Sequence, residues 1–445
     1  MEETPMSVTL VLGRMLWGDT ARAPQPGWGV ALEDGHVVAA ADHAELQARF
    51  PTAEVVDATD CVITPSFVNA HHHMYGVLAH GIPLDEAPSG FWSFLEDFWW
   101  PKVEDRLTHE LIAAATDWAC LEMVRSGITT FYDCLEAPYA LPGALEVAAD
   151  VVRRWGLRGV LSFEATQRVS AENGELGLWE NATFIDRCRA LDGLVTGMMC
   201  FHTTFTCSPG FIQRAFDLAA ERGKRVHMHL SEGIHEPEYC LERYGLRPVA
   251  HYNRLGTLGK HVLASQCVQV DAEEVAMLAR HGVHVSHQPL SNCEVGGGFA
   301  PVPEMLAAGV NVALGTDGYV NNFFEVMRAA ALIPKARLQD PGVMPAHTVW
   351  CMATQNGARA LDFARLGILS AGAPADLLLI RADLPTPPTQ HNLADQLLLW
   401  RNPRDLRGVM CAGEWRLWEG EVVGADEEAV RARVVQAANQ LWENV

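Results

Sequence analysis

No Cys-x-x-Cys pair occurs in this chain of 445 residues. Its 11 cysteines are scattered and odd in number, which excludes a zinc ribbon and a thioredoxin-type redox pair and suits a reducing compartment. No run is long and apolar enough to cross a bilayer. The opening "MEETPMSVTL" lacks the basic region and apolar stretch of an export signal, so the expected location is the cytoplasm. Positive charge is scarce: 33 Lys plus Arg stand against 55 Asp plus Glu, a formal −22. That balance repels nucleic acid and anionic membrane and argues against both as partners. Short internal repeats and low-complexity tracts are also absent.

What is present is a normal globular mix, 49% apolar and 20% charged, in a chain long enough for one large domain and a smaller one. Both ends carry short strands with turn punctuation: "VTLVLGRMLW" and "GWGVALEDGHVVAAAD" early, "ADLLLIRAD" and "RGVMCAGEWRLWEGEVV" late. A helix in "EEAVRARVVQAANQLWENV" closes the chain. Between the ends, eight short buried-looking runs alternate with helical stretches: "CVITPSFVNAHHH", "GITTFYD", "RGVLSFEA", "GMMCFHTT", "RVHMHLSE", "HVLASQCVQV", "VHVSHQPL" and "VNVALGTDG". Eight strand-plus-helix units predict an α/β fold, a (β/α)8 barrel of TIM type, whose chemistry sits at the C-terminal ends of the strands. The expected organisation is residues 1–65 and 366–445 forming a small β unit from both termini, the latter with the terminal helix, around a barrel over 66–365.

The strand tips carry a metal-binding pattern. Side chains two apart on a strand share a face, so His71 and His73 point together while His72 is a spacer. Such a pair alone is weak, because paired histidines often sit satisfied in cores. Other tips add to it. "HMHLSE" supplies His229 as a third nitrogen ligand and Glu232 as a carboxylate free to move protons, with His227 deeper on the same face as a hydrogen-bonded core residue. "ALGTDG" supplies Asp317 at the mouth. Three histidines and one carboxylate suit one divalent metal per chain, zinc ahead of iron of similar preference, with a position left for water. A cation there lowers the pKa of that water toward neutrality and makes hydroxide available. None of the eight runs carries a lysine, so a carboxylated lysine bridging a second ion is not expected.

"PSFVNAHHH", "HMHLSEG", "VSHQPLSN", "APVPEMLAAGVNVALGTDG" and "LGILSAGAPADLLLI" resemble the amidohydrolase superfamily, in its cytosine-deaminase and chlorohydrolase branch. "DFWWPKVEDRLT", "HMHLSEGIHEPEYCLERYG" and "LGTDGYVNNFFEVMRAA" are most similar to aminohydrolases of the SsnA type, with adenosyl-nucleoside deaminases next. The resemblance runs in order over nearly the whole chain. It implies His71, His73, His229 and Asp317 as ligands, Glu232 as the proton shuttle, His202 in "CFHTTFTCSP" as a substrate contact, a β-sandwich split between the termini, and a homodimer. The chain departs from the family at the sixth strand. Gln266 in "LASQCVQVD" stands where a histidine is expected, and Gln269 occupies another such position. Glutamine bonds to water but does not take its proton, and losing a general base costs on the order of 10²–10⁴ in rate. His287 is the first candidate to approach the water instead.

The segment "AHGIPLDEAPSGFWSFLEDFWWPKVEDRLT" crowds aromatics into residues 91–100. Phe91, Leu95, Phe98 and Trp99 fall at helical spacing, so most are expected to pack, with one or two, Trp92 among them, reaching a planar substrate. Tyr319, Asn321 and Asn322 follow Asp317 and are candidates for substrate hydrogen bonds, though such residues are also ordinary turn formers. The function expected is hydrolytic deamination of an aminated heterocycle (purine, pterin, pyrimidine or nucleoside-like), with hydroxide made at the metal. The alternatives are a hydrolase of a cyclic amide or carbon–chlorine bond, and a catalytically impaired metal-binding accessory protein, the reading Gln266 favours. The only partner expected besides a second copy is the small heterocyclic substrate.

Overall fold

The computed structural model describes residues 8–191, 193–318 and 321–443. Two compact units emerge, one from Met1–Val68, Glu122–Thr130 and Asn322–Ala425, the other from Asn69–Leu121, Phe131–Asn321 and Asp426–Val445.

The first unit holds a nine-stranded sheet from both ends of the chain. Its early strands are β1 (Thr9–Leu16), β2 (Gln25–Pro26), β3 (Trp28–Glu33), β4 (His36–Asp42) and β5 (Glu54–Pro65). β5 is exposed along its acidic first half and buried along "CVITP". It pairs in parallel with β1, Val11 opposite Val56. β1 pairs antiparallel with β3, Val11 opposite Val30. The late strands of the sheet are Leu377–Arg381, Leu406–Cys411, Glu414–Trp418 and Glu421–Val422, and Leu377–Arg381 joins the other edge of β5 with Leu379 opposite Ile63. One buried cluster combines Val30 and Val37 with Leu377, Leu379 and Met410. These residues lie on strands well separated in the sheet order, so the sheet bends over its own apolar face. Each such side chain contributes about 1.5–3 kcal/mol of burial.

The strands that carry the candidate site follow. They are β6 (Phe67–His72), β7 (Ile128–Leu135), β8 (Arg158–Phe163), β9 (Thr196–Gly197), β10 (Met199–Cys200), β11 (Val226–Leu230), β12 (Val262–Gln266), β13 (His284–His287) and β14 (Asn311–Leu314). β9 and β10 are halves of one run broken at Met198. The strands form a β6-β7-β8-β9 sheet and a β10-β11-β12-β13-β14 sheet, and every pairing from β10 to β14 is parallel. Single parallel bridges, His72 to Asp317 and Ala165 to Phe201, link the two sheets at both edges. β6, β7, β11 and β12 are buried along their whole length, as strands covered on both faces must be.

Helices between the strands are punctuated by their own sequence. Pro209–Arg222 begins on a Ser208 cap with Pro209 in its first turn. Ala272–His281 begins on a capping box between Asp271 and Glu274 and stops at Gly282, which takes a left-handed φ of 70°. The terminal helix Glu427–Trp442 belongs to the second unit. Its Trp442 indole donates to Leu78 O at 2.7 Å and Arg433 pairs with Asp117 at 2.5 Å. Among the described residues no helix is long and apolar enough to cross a membrane.

Candidate metal centre and active site

The tips of β6, β11 and β14 bring four polar side chains together. His71 Nε2 lies 3.8 Å from Asp317 Oδ2 and His73 Nε2 lies 3.6 Å from Asp317 Oδ1. The His229 ring stands 4.9 Å from that of His71 and lies parallel to that of His73. Ligand atoms of the three histidines fall within 4.8 Å of one another. Asp317 is turned inward by a left-handed φ of 62°, which costs a non-glycine residue about 1–3 kcal/mol unless the surroundings hold it. They do. Thr316 N and Asp317 N both donate to His71 O at 3.0 and 3.1 Å, and His72 Nδ1 donates to Asp317 O at 2.6 Å. His72, a spacer on the strand, thus clamps the backbone of Asp317. Gly315 permits the approach, since a Cβ there would lie 2.8 Å from His71 O.

Each of the three imidazoles is oriented through Nδ1. His73 Nδ1 donates to Cys134 O at 2.6 Å, and His229 Nδ1 lies 2.6 Å from Glu164 Oε1. His71 Nδ1 lies 3.1 Å from His227 Nε2, and His227 Nδ1 lies 3.3 Å from Cys200 Sγ. The Nε2 atoms of His71 and His73 are left facing Asp317. His71 Nε2 is buried without a hydrogen-bond partner among the described residues, a costly condition for a polar atom that a cation relieves. Burial opposes charge on His229, yet adjacent Glu164 overrides it and pushes the pKa up to about 10. Burial, then the neighbouring imidazoles of His73 and His229, hold His71 well below the usual range. Three imidazoles beside a carboxylate are a donor set that fits a divalent cation, which His71, His73, His229 and Asp317 would hold.

Gln266 ends β12 at a φ of 76° and is fully buried. Its Nε2 donates to Asp317 Oδ2 at 2.6 Å, its Oε1 accepts from Asn292 Nδ2, and its backbone N donates to Gln288 Oε1 at 3.0 Å. A carboxylate accepts only from a donor, so the amide nitrogen must face Asp317. Gln269 lies off the site and donates to Gly297 O.

A cavity of about 40 Å³ adjoins the ligands, and Glu232, His202, Phe94, Trp99 and Trp100 are among its walls. Burial, with Asp317 nearby, raises the Glu232 pKa to about 8, so its carboxyl keeps a proton near neutrality. Burial lowers His202 to about 3, and its Nδ1 bonds Thr206 Oγ1 at 2.9 Å. Trp92, His287 and Asn321 are not among these walls. Trp92 is outside the cavity walls: it stacks on His235 at 4.0 Å and packs against Phe205 and Trp100. His287 is buried at the tip of β13, its pKa lowered to about 4 by burial, and it is not a wall residue. Asn321 is buried and also not a wall residue. Asn322 donates to Glu325 at 2.9 Å, and Tyr319 lies outside the described residues. Sequence reasoning missed Glu164, although it sits at the tip of the third run, "SFEA", where the strand-end rule would have found it. It also missed Glu104, a wall residue on which the Tyr75 hydroxyl donates at 2.7 Å. That carboxylate follows the aromatic segment and carries no local signal.

Comparison with known proteins adds four findings. The amidohydrolase family matches residues 62–416. A 5-methylthioadenosine/S-adenosylhomocysteine deaminase of Syntrophobacter fumaroxidans is 35% identical over 442 residues, covering 98% of each chain. A 5'-deoxyadenosine deaminase of Methanothermobacter thermautotrophicus is 32% identical, covering 93% of this chain and 94% of its own. Among solved structures, an adenosine deaminase from Xanthomonas campestris with bound zinc superposes with a TM-score of 0.89 at 27% identity, covering 97% of this chain and 98% of that one.

Proposed function

This chain belongs to the amidohydrolase family, and from that premise we propose that it deaminates an aminated heterocycle of nucleoside type by hydrolysis at one divalent metal, zinc rather than iron. We read the two bridged sheets as one (β/α)8 barrel and the bent terminal sheet as the small β-sandwich, in a cytoplasmic homodimer. The observation that carries the reading is the convergence of His71, His73 and His229, with the Nε2 atoms of His71 and His73 at 3.8 and 3.6 Å from Asp317, beside a cavity walled by Glu232 and aromatic rings.

A cation held by His71, His73, His229 and Asp317 supplies acidification of a water molecule near neutral pH. Protein groups do the rest. Glu232, protonated through burial, donates to the ring nitrogen beside the reacting carbon and then serves the departing amino group. Water adds at that carbon, the C–N bond breaks, and ammonia leaves, one of the water's protons going to the amine and the other returning to Glu232. Gln266 gives its amide hydrogen to Asp317 and offers no basic atom, so proton handling falls to Asp317 and Glu232. Aromatic walls at Phe94, Trp99 and Trp100 suit the face of a planar ring. The names of the relatives, deaminases of methylthioadenosine, S-adenosylhomocysteine and 5'-deoxyadenosine, support an adenine nucleoside.

The test is ammonia release from a panel of aminated purines, pterins, pyrimidines and nucleosides by zinc-loaded protein, with Glu232→Gln alongside. The expected result is turnover of an adenine nucleoside that falls on the order of 10²–10⁴-fold in the variant while its zinc content holds. Equal turnover in both proteins would contradict the assignment. Chloride release or ring opening without ammonia would favour the non-deaminating hydrolase.

A further inference from the structure

Glu236 is a buried carboxylate that takes no part in the proton transfers. It stands in the first turn of the helix His235–Tyr244 and is only 2% exposed. Among the described residues no cation is its ion-pair partner. Burial pushes its pKa up, and hydrogen bonds from Thr203, Thr204 and Ser231 oppose the rise. Its Oε1 accepts from Thr203 Oγ1 at 2.6 Å, from Thr204 Oγ1 at 2.7 Å and from Thr204 N at 3.4 Å, and its Oε2 accepts from Ser231 N. A backbone N–H only donates, so both carboxyl oxygens must serve as acceptors. The positive end of the helix adds to their hold on negative charge.

Each oxygen holds a different strand tip. On the Oε1 side, Thr203 and Thr204 directly follow His202, past the end of β10. Their loop turns back to that histidine: Thr206 Oγ1 donates to Thr203 O at 3.3 Å and bonds His202 Nδ1 at 2.9 Å. On the Oε2 side, Ser231 is the residue between β11 and Glu232. It takes a left-handed φ of 51°, a conformation that a non-glycine residue keeps only where its surroundings hold it. Its hydroxyl does not supply the hold, since Ser231 Oγ is buried without a hydrogen-bond partner among the described residues. The backbone is held instead: Ser231 N donates to Glu236, and Ser231 O accepts from Gln269 N at 2.7 Å.

We propose that Glu236 is a positioning residue of the reaction: one carboxylate ties the tips of β10 and β11 together and so sets where His202 and Glu232 stand in the cavity. The inference rests on the deaminase reading and adds to it a residue outside the cavity walls. A displacement of about 1 Å in a reacting group costs on the order of 10²-fold in rate, so the tie acts on turnover. A carboxylate that served only the stability of the fold would leave the turnover of folded protein unchanged.

The experiment compares the zinc-loaded protein with Glu236→Leu, Glu236→Gln and Thr203→Val, reading ammonia release from adenosine and 5'-deoxyadenosine beside zinc per chain. Glu236→Leu should lower kcat about 100-fold with zinc held at the parent level. In Glu236→Gln the amide oxygen can take the Ser231 N–H, and the amide hydrogens can go to the Thr203 and Thr204 oxygens, which accept as well as donate. That variant should recover kcat to within about tenfold of the parent. Thr203→Val keeps the side-chain shape and removes one bond to Oε1. It should lower kcat about tenfold, and it decides the question where the leucine variant does not fold. A folded Glu236→Leu protein with kcat within about threefold of the parent would overturn the inference and leave the deaminase reading standing. So would a glutamine variant as slow as the leucine one, or zinc lost in step with kcat, which would put the effect at the metal ligands. No ammonia from either nucleoside with the parent protein would overturn both.

Discussion

At Gln266 a neutral amide is bonded on three sides, to Asp317, Asn292 and Gln288. Gln266→Leu would leave buried polar groups on Asp317 and Asn292 without their partner, a loss of about 1–3 kcal/mol for each group. The expected outcome is zinc affinity reduced by roughly 10–100-fold, as for other groups that orient ligands, measured by competition with a chromophoric chelator. His227→Leu should act similarly, since it removes the acceptor for His71 Nδ1, while His227→Gln, which keeps an acceptor near the same place, should restore most of the affinity. Equal affinity in all four proteins would mean that these contacts only fill space. The grouping of His71, His73 and His229 was legible from alternation ending at strand tips, and the nearness of Asp317 to His71 and His73 from its place just past a strand end. The clamp by His72 and the His227–Cys200 chain were not, because both depend on which side chain faces which across the strands, and a single sequence does not record that.

The aromatic segment shows how one backbone detail moves a whole face. α-Helical spacing groups Phe91, Leu95, Phe98 and Trp99. Over Phe94–Val103, with Pro101 inside it, the helix is π-helical, where bonding runs five residues apart. Phe94 and Trp99 accordingly stack, ring centres 5.4 Å apart, and Phe91, Phe94, Leu95, Trp99 and Trp100 all reach the chemistry cavity, more than the one or two expected. Trp92 braces the segment from outside, because its ring finds His235. Trp92→Leu should therefore lower stability by about 1–3 kcal/mol with KM for the nucleoside changed less than twofold. Phe94→Ala should raise KM about tenfold, through loss of ring area against the substrate. Urea unfolding and steady-state kinetics on the two variants separate bracing from contact, and the reverse pattern would contradict the assignment.

For the molecule as a whole, eight runs in order announced a parallel α/β arrangement, while the edges of the compact units were hidden. Residues 322–365 and 122–130 join the terminal sheet's unit and the last helix joins the other, and nothing in local composition marks those seams. Burial also writes a pH dependence into the fold. Asp133, buried on β7 and accepting from Met74 N at 2.7 Å, has its pKa raised from 3.8 to about 8 by desolvation. The folded state then binds a proton that the unfolded state has released, so stability falls as pH rises from about 4 to about 8, by at most about 1.4 kcal/mol per unit. Asp133→Asn, which keeps the oxygen acceptor, should flatten that slope in urea titrations at pH 5 and pH 8, and an unchanged slope would contradict the argument. The central claim is that a single cation sits among three imidazoles and one aspartate. Elemental analysis of the purified protein beside His71→Ala tests it directly. About one zinc per chain in the first and almost none in a folded second is the expected result. Two tightly held ions per chain, or full zinc retained without His71, would contradict it.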